Sequence, residues 1–331
     1  MTLVEEPAGA VVSTVPDLPE GLEPLALAAV RNAAIAAYAW AGRGDGKAAD
    51  GAATEAMRAA LGLGTGLGTV VIGEGEKDGA PMLYNGEQVG TGTVPSFDIA
   101  VDPVEGTDYC AGGQAGALTT IAMAGDGGLW SPGPAHYMDK IVVGKIARDA
   151  IDLRDEPERI VKRVATALGK RPRDMTVVIL DKPRHVELVA RVRSTGARVQ
   201  TPSAGDVAGA LLAALPGTGV DLLLGCGGTP EGVMAACAVK AVGGGMQTRL
   251  APQRATEAKA IEAAGLSTTQ ILEVDDLVKG PSLFAATAIT GGILGLRAPW
   301  RSGGWNFTQS LIVRPGSVRR IVESTPATDQ E

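Results

Sequence analysis

A chain of 331 residues, 45% hydrophobic and 20% charged, can bury a sizeable core, and one large or two fused α/β units are expected. A formal charge of −7 with no block of clustered Lys and Arg excludes a binder that works by meeting nucleic-acid phosphates. Cys110, Cys226 and Cys237 are odd in number and form no C-x-x-C pair, so neither a disulfide framework nor a zinc ribbon is implied, and a reducing cytoplasm is the simplest compartment.

Residues 1–22 carry Glu5, Glu6 and several prolines without the basic flank and apolar core of a signal peptide, so a flexible tail is expected there. No apolar run approaches the ~20 residues of a membrane span, and no membrane partner is expected. From Pro24 to Ala41 alanines and larger apolar residues recur at helical spacing, which predicts a buried first helix ending at Gly42-Arg43-Gly44. The pattern resumes from Lys47 to Leu61 and makes Asp45 a junction residue, open to an N-cap role as well as to a functional one. The glycine-rich GLGTGLG at 62–68 is not a dinucleotide fingerprint, because the strand, Thr69–Ile72, follows it instead of preceding it. That strand delivers Gly73-Glu74-Gly75-Glu76-Lys77-Asp78. Glycines on both sides of Glu74 favour close approach by a ligand, although a solvated acidic loop is the plainer alternative.

A second strand, Ile99–Val101, runs into Asp102-Pro103-Val104-Glu105-Gly106-Thr107. Pro103 cannot donate to a ladder and Gly106 permits a sharp turn, so Asp102, Glu105 and Thr107 are expected together on one loop. Two carboxylates and a hydroxyl suit a hard divalent cation and an attacking oxygen; a capped turn is the alternative for the stretch alone. Strands follow at Ala117–Ala124 and Lys140–Val143, and an amphipathic helix at Pro157–Leu168. Charges and prolines near residue 170 suggest a seam, with an N-terminal lobe at 23–170 and a C-terminal lobe at 171–331.

The second half alternates strand and helix: Thr176–Leu180, Arg184–Thr195, Ala197–Gln200, Val207–Leu215, Asp221–Leu224 and Glu231–Val242. Such alternation predicts a mostly parallel sheet covered on both faces, with ligands outside the carboxyl ends of its strands. The loops 181–185, 201–206 and 225–231 are therefore the places to search. Lys182 and Arg184 are either a phosphate clamp or a solvated pair. His185 is expected to cap the helix behind it or to touch a ligand, and His136 to be a packed loop residue.

Taken together, GRGD at 42–45, DGAA at 50–53, IGEGEKD at 72–78, APMLYNGEQVG at 80–90, DIAVDPVEGT at 98–107, YMDKIVVG at 137–144, KPRH at 182–185 and GGTPEG at 227–232 resemble the class II fructose-1,6-bisphosphatases over residues 24 to 323. The D-P-x-E-G-T core is also similar to that of the wider group of lithium-sensitive, metal-dependent sugar and inositol phosphatases. The resemblance implies an α/β/α/β/α layered sandwich, a homodimer or homotetramer, and hydrolysis of a small sugar phosphate with two or more Mg²⁺ or Mn²⁺ ions. By motif match Asp45 and Glu74 would hold one ion and Asp102, Glu105 and Glu231 another, with Thr107, Asp45 and Glu105 at the chemistry. Glu105, Gly106, Thr107, Tyr137, Lys182, Pro183, Arg184, Ala204, Gly205, Asp206 and Gly228 would fall at substrate positions.

The chain departs from the family pattern at Ala204, where the substrate loop has an acid, and Ala offers no hydrogen bond to a sugar hydroxyl. A lost partner of that kind shifts preference by roughly 1–3 kcal/mol, which opens sedoheptulose 1,7-bisphosphate or a specialised-metabolite phosphate as alternatives to fructose 1,6-bisphosphate. A non-catalytic sugar-phosphate sensor is the reading from another class. Asp108-Tyr109-Cys110, Gly291-Gly292 and Trp305-Asn306-Phe307 also differ from common members and are expected to reshape the pocket.

Overall fold

Small residues at helical spacing set the first contact of the fold. Ala26, Ala29, Ala33 and Ala37 line the buried side of helix α1 (Leu22–Tyr38), and Ala49, Ala53, Met57 and Ala60 that of α2 (Gly46–Leu61), so the two helices pack closely. Pro24 is accommodated because it lies in the first turn of α1, where no intrahelical N–H is required. The computed structural model describes residues 18–74 and 82–327. Expectations for residues 1–17, for Gly75, Glu76, Lys77 and Asp78, and for Ala80-Pro81 lie outside those residues.

After the helical pair come β1 (Leu67–Ile72), β2 (Gln88–Val89), β3 (Ser96–Glu105), the one-turn α3 (Thr107–Ala111), β4 (Leu118–Gly125), β5 (Tyr137–Val143) and α4 (Pro157–Ala167). The chain continues through β6 (Thr176–Val178), α5 (Val186–Ser194), β7 (Arg198–Gln200), α6 (Asp206–Ala214), β8 (Leu222–Gly228), α7 (Thr229–Ala241) and β9 (Gly245–Leu250). It closes with α8 (Ala255–Ala263), β10 (Leu272–Glu273), α9 (Val274–Leu277), β11 (Ser282–Ala288), β12 (Trp300–Ser302), β13 (Trp305–Arg314) and β14 (Ser317–Pro326).

Two sheets result. An eight-stranded one has the order β12-β13-β11-β4-β3-β1-β2, with β14 on β13, and a six-stranded one has the order β10-β9-β5-β8-β6-β7. Period-two alternation, shifted once by an irregularity between Val70 and Ile72, assigns their faces. Val70, Ile99, Val101, Ile121, Met123 and Leu283 meet α1 and α2, while Ile72, Ala100, Ala122, Phe284, Leu311 and Val313 point the other way, onto α6 and α7. Val142, Val178, Leu223 and Met246 of the second sheet close on that same central pair. Ile141, Val143, Val177 and Leu224 face α4 and α5 on the outside. The architecture is thus the expected α/β/α/β/α sandwich. Each fully buried Val, Leu, Ile or Phe contributes roughly 1.5–3 kcal/mol, so a one-residue register slip in a central strand would forfeit many such terms.

The second sheet is mixed where a mostly parallel one was expected. β7, β6 and β8 are parallel, but β5 is antiparallel to both β8 and β9, and β10 is antiparallel to β9. The physical reason is β5, which arrives from before residue 170 and inserts between β8 and β9. Conversely β11, β13 and β14 return to the eight-stranded sheet, so the seam expected near residue 170 does not coincide with the division between the sheets. No helix among the described residues is long and apolar enough to cross a membrane. The three cysteines are buried and free.

Candidate metal centre

The strand expected to stop at Asp102 continues to Glu105. It does so through an irregularity: Asp102 pairs with Thr120 and Glu105 with Leu118, leaving two residues of β3 opposite one of β4. Pro103 sits in this bulge, its carbonyl accepting from the Thr119 hydroxyl at 2.8 Å, while Val104 N–H turns back to the Asp102 carboxylate at 3.1 Å. Thr107 is then the first residue of α3 instead of a loop residue, placed by Gly106 in the left-handed region at φ 82°.

The bulge brings Asp102 and Glu105 to one place. Glu231, in the first turn of α7 behind Pro230, joins them, and carboxylate oxygens of the three lie within 4.8 Å of one another. Glu74, just beyond the end of β1, is near enough to act on Asp102 through its charge. Burial pushes the Asp102 carboxyl well above the usual range, and the charges of Glu105, Glu74 and Glu231 push it further. Glu105, 5% exposed, is raised chiefly by burial and then by Glu231, against the lowering effect of its hydrogen bonds from Asp102 and from Val207 N–H, the latter at 2.8 Å. A set of oxygen donors that repel one another, with Glu105 buried and Asp102 and Glu231 half-buried, fits a hard divalent cation, which would compensate the charge and occupy the lone pairs at once.

Asp45 is the exposed N-cap of α2, accepting from Ala48 N–H at 2.9 Å, and lies outside the three-carboxylate group. The Thr107 hydroxyl lies 3.1 Å from the Val104 carbonyl and 3.4 Å from Asp50 Oδ2. Asp50 is one residue the sequence reading passed over; its only signal was the DGAA string at 50–53.

Lys140 is the other. Its side chain is 2% exposed, and the ammonium forms an ion pair with Asp206 and donates to the Gly228 carbonyl at 2.6 Å. Its signal was a charge inside the apolar run of YMDKIVVG. Asp206 opens α6 and Gly228 precedes α7, so one buried cation ties the starts of both central helices. Gly227 and Gly228 allow close approach: a Cβ at the first would press on the Asp206 carboxylate, and at the second on that of Glu231, so either carboxylate would have to shift.

On the rim, the Arg184 guanidinium lies 5.1 Å from the centre of the Tyr137 ring and donates from Nε and Nη2 to the Cys226 carbonyl at 3.1 and 2.9 Å. Lys182 and Pro183 precede it at the start of a single 3₁₀ turn, with Lys182 half-buried. The Tyr109 hydroxyl accepts from Ala204 N–H at 3.1 Å. Tyr109, Ala204 and Gly292 border one cavity. Trp305-Asn306-Phe307 do not: they begin β13, where Phe307 stacks on Trp300 at 5.0 Å.

His185 does not cap α5 with its side chain. It is buried, with Nδ1 2.7 Å from the Leu180 carbonyl and Nε2 accepting from Cys226 N–H at 2.8 Å. That pattern needs the neutral ring with Nδ1 protonated, and burial pulls its pKa below 6.5. His136, expected to be packed, has an exposed side chain. Because the folded His185 resists protonation, its contribution to stability is intact above about pH 6.5 and falls as pH drops from there towards the lowered folded-state value. His185→Ala, which strands a buried N–H and a carbonyl, is expected to cost about 2–4 kcal/mol in denaturant unfolding at pH 8 and to flatten that acid limb.

A layered α/β protein in which Asp102, Glu105 and Glu231 converge into a cluster that could hold a metal ion is the class that the fold and this site define. Residues 22–325 match the family model of bacterial fructose-1,6-bisphosphatase, glpX-encoded. The chain is 43% identical over 305 residues to the class 2 fructose-1,6-bisphosphatase of Haemophilus influenzae, covering 87% of this chain and 91% of that protein. It is 42% identical over 306 residues to fructose-1,6-bisphosphatase 1 class 2 of Escherichia coli K12, with 88% and 90% covered. The chain belongs to the class 2 fructose-1,6-bisphosphatase family.

Proposed function

We propose that the protein hydrolyses fructose 1,6-bisphosphate to fructose 6-phosphate and phosphate, using Mg²⁺ or Mn²⁺. The observation that carries this reading is the convergence of Asp102, Glu105 and Glu231 within 4.8 Å at the heart of a class 2 family member. Those three would hold one ion and Asp45 with Glu74 another. When bound, the cations neutralise phosphoryl oxygens and make an attacking water more acidic.

The rest falls to the chain's own side chains. Thr107 Oγ1 orients the water, and Asp50, 3.4 Å away, takes the proton that passes through that hydroxyl. Lys182 and Arg184 meet phosphate from the rim, Arg184 held in place by Tyr137 and the Cys226 carbonyl. Asp206, fixed by Lys140, and the backbone of Ala204-Gly205 and Gly228 meet the sugar. A homodimer or homotetramer is the assembly we propose.

A second reading has one observation in its favour. Ala204 lacks a group for a sugar hydroxyl, which favours a substrate that needs no partner there, such as sedoheptulose 1,7-bisphosphate or a specialised-metabolite phosphate. Phosphate release across a panel of sugar bisphosphates, with chelator and then with Mg²⁺ or Mn²⁺, separates the possibilities. Activity is expected to vanish in chelator, return with either ion, and be highest on fructose 1,6-bisphosphate. Turnover unaffected by excess chelator removes the metal role; preference for the seven-carbon sugar changes the substrate; binding without turnover makes the protein a sensor.

A further inference from the structure

We propose that Tyr109 is a positioning residue that holds the sugar-facing loop, Ala204-Gly205-Asp206, against the segment carrying Thr107. The proposal rests on the reading of that loop as sugar-facing. Its hydroxyl accepts from Ala204 N–H at 3.1 Å and lies 3.4 Å from the Ala204 carbonyl, to which it donates, so both backbone groups of one residue are held by one side chain. The ring itself is fixed. Gly106 and Gly116, at φ 82° and 121°, flank it so closely that a Cβ at either would stand 3.1 Å from its Cδ2.

Three tethers hold the loop. Glu105 accepts from Val207 N–H at 2.8 Å and Lys140 pairs with Asp206, which secures the helical side; Tyr109 secures the side before it. Ala204 has no side-chain polar group with which to anchor itself. Gly205 sits at φ 93°, a permissive hinge, and behind it lies the cavity of about 320 Å³ bordered by Tyr109, Gln200, Thr201 and Gly292. Without the phenol the loop has both a hinge and a space to swing into. Since Tyr109 lies two residues beyond Thr107, the clamp sets the distance between the sugar-facing backbone and the reacting phosphate.

Tyr109→Phe removes both hydrogen bonds and keeps the ring. The expected result is a five- to tenfold higher KM for the sugar bisphosphate with kcat within twofold. Metal-dependent hydrolysis of p-nitrophenyl phosphate, which carries no sugar, should stay unchanged, while amide hydrogen exchange rises several-fold in residues 203–206 only. An unchanged KM overturns the proposal, as does a parallel loss on p-nitrophenyl phosphate, which would place Tyr109 in the phosphate chemistry or in general folding. Wild-type protein that cleaves p-nitrophenyl phosphate but no sugar bisphosphate overturns the substrate reading and the proposal with it. Normal wild-type turnover with an unchanged variant overturns the proposal alone.

Discussion

Glu105→Gln is expected to lower turnover roughly a thousandfold, on the order of 4 kcal/mol of transition-state stabilisation, while leaving the cation-free protein at least as stable as the wild type. The two effects come from the same carboxylate. Gln keeps an Oε1 to accept from Val207 N–H, now at 2.8 Å, and so keeps the tether to α6, but it loses the charge that a divalent cation needs. In the absence of cation that charge is a liability, since it is buried and repelled by Glu231 and Asp206. The sign with pH follows. Asp102 and Glu105 have folded-state pKa values raised above their ordinary 3.8 and 4.5, so the folded protein binds protons that the unfolded chain has released. Their contribution is fully present at lower pH and is lost as pH climbs from about 4 towards the raised folded values. Wild-type protein freed of cation should therefore lose stability over that climb, and Glu105→Gln should lose less. Saturating Mg²⁺ or Mn²⁺ should reverse the slope in the wild type alone, because cations compete with protons for the same oxygens. The His185 contribution runs the other way and is indifferent to cation, which separates the two. A Glu105→Gln enzyme that turns over normally, or whose cation-free form is several kcal/mol less stable, would remove Glu105 from the metal site.

Local signals made part of the molecule legible in the chain. Buried alanines at helical spacing, strands with apolar runs and Pro230 behind Gly228 are local signals, and α1, α2, α7, β1 and β3 to β8 fall within a few residues of where those signals put them, whereas β2 and the strands after α7 were not assigned from the sequence. Acids flanked by glycine were legible for the same reason: Gly228 and Gly106 accompany carboxylates that a Cβ would press on or that need a left-handed turn. Non-local pairing was not legible. The insertion of β5 between β8 and β9 joins residues 137–143 to 222–228 and 245–250, and nothing in the local alternation of strand and helix announces a strand from another part of the chain. The bulge at Pro103 was misread as a strand end because proline breaks a ladder in both cases; only the partner strand, with Thr119 reaching the Pro103 carbonyl, distinguishes them. His185 looked like a cap because it precedes a helix, yet its ring serves two backbone groups that fold back from residues 180 and 226.

Lys140 was the costliest omission, and its replacement by Met is expected to destabilise the protein by about 3–5 kcal/mol in denaturant unfolding, the range for breaking one side of a buried ion pair. Met matches the length of the stem but leaves the Asp206 carboxylate, 11% exposed, without its cation and the Gly228 carbonyl without its donor. Both acceptors sit where α6 and α7 begin, beside Glu105 and Glu231, so the variant also adds an uncompensated charge to a cluster that already repels itself. Asp206→Asn alone should be damaging for the mirror reason, since it strands a buried ammonium. The double variant Lys140→Met with Asp206→Asn removes both charges and should recover most of the loss, giving a coupling of several kcal/mol in the double-mutant cycle. Activity should not recover with it, because Asp206 would no longer offer a carboxylate to the sugar. A single Lys140→Met variant within 1 kcal/mol of wild type, or a cycle that is simply additive, would mean that the ends of the two central helices are held by their packing and not by this cation.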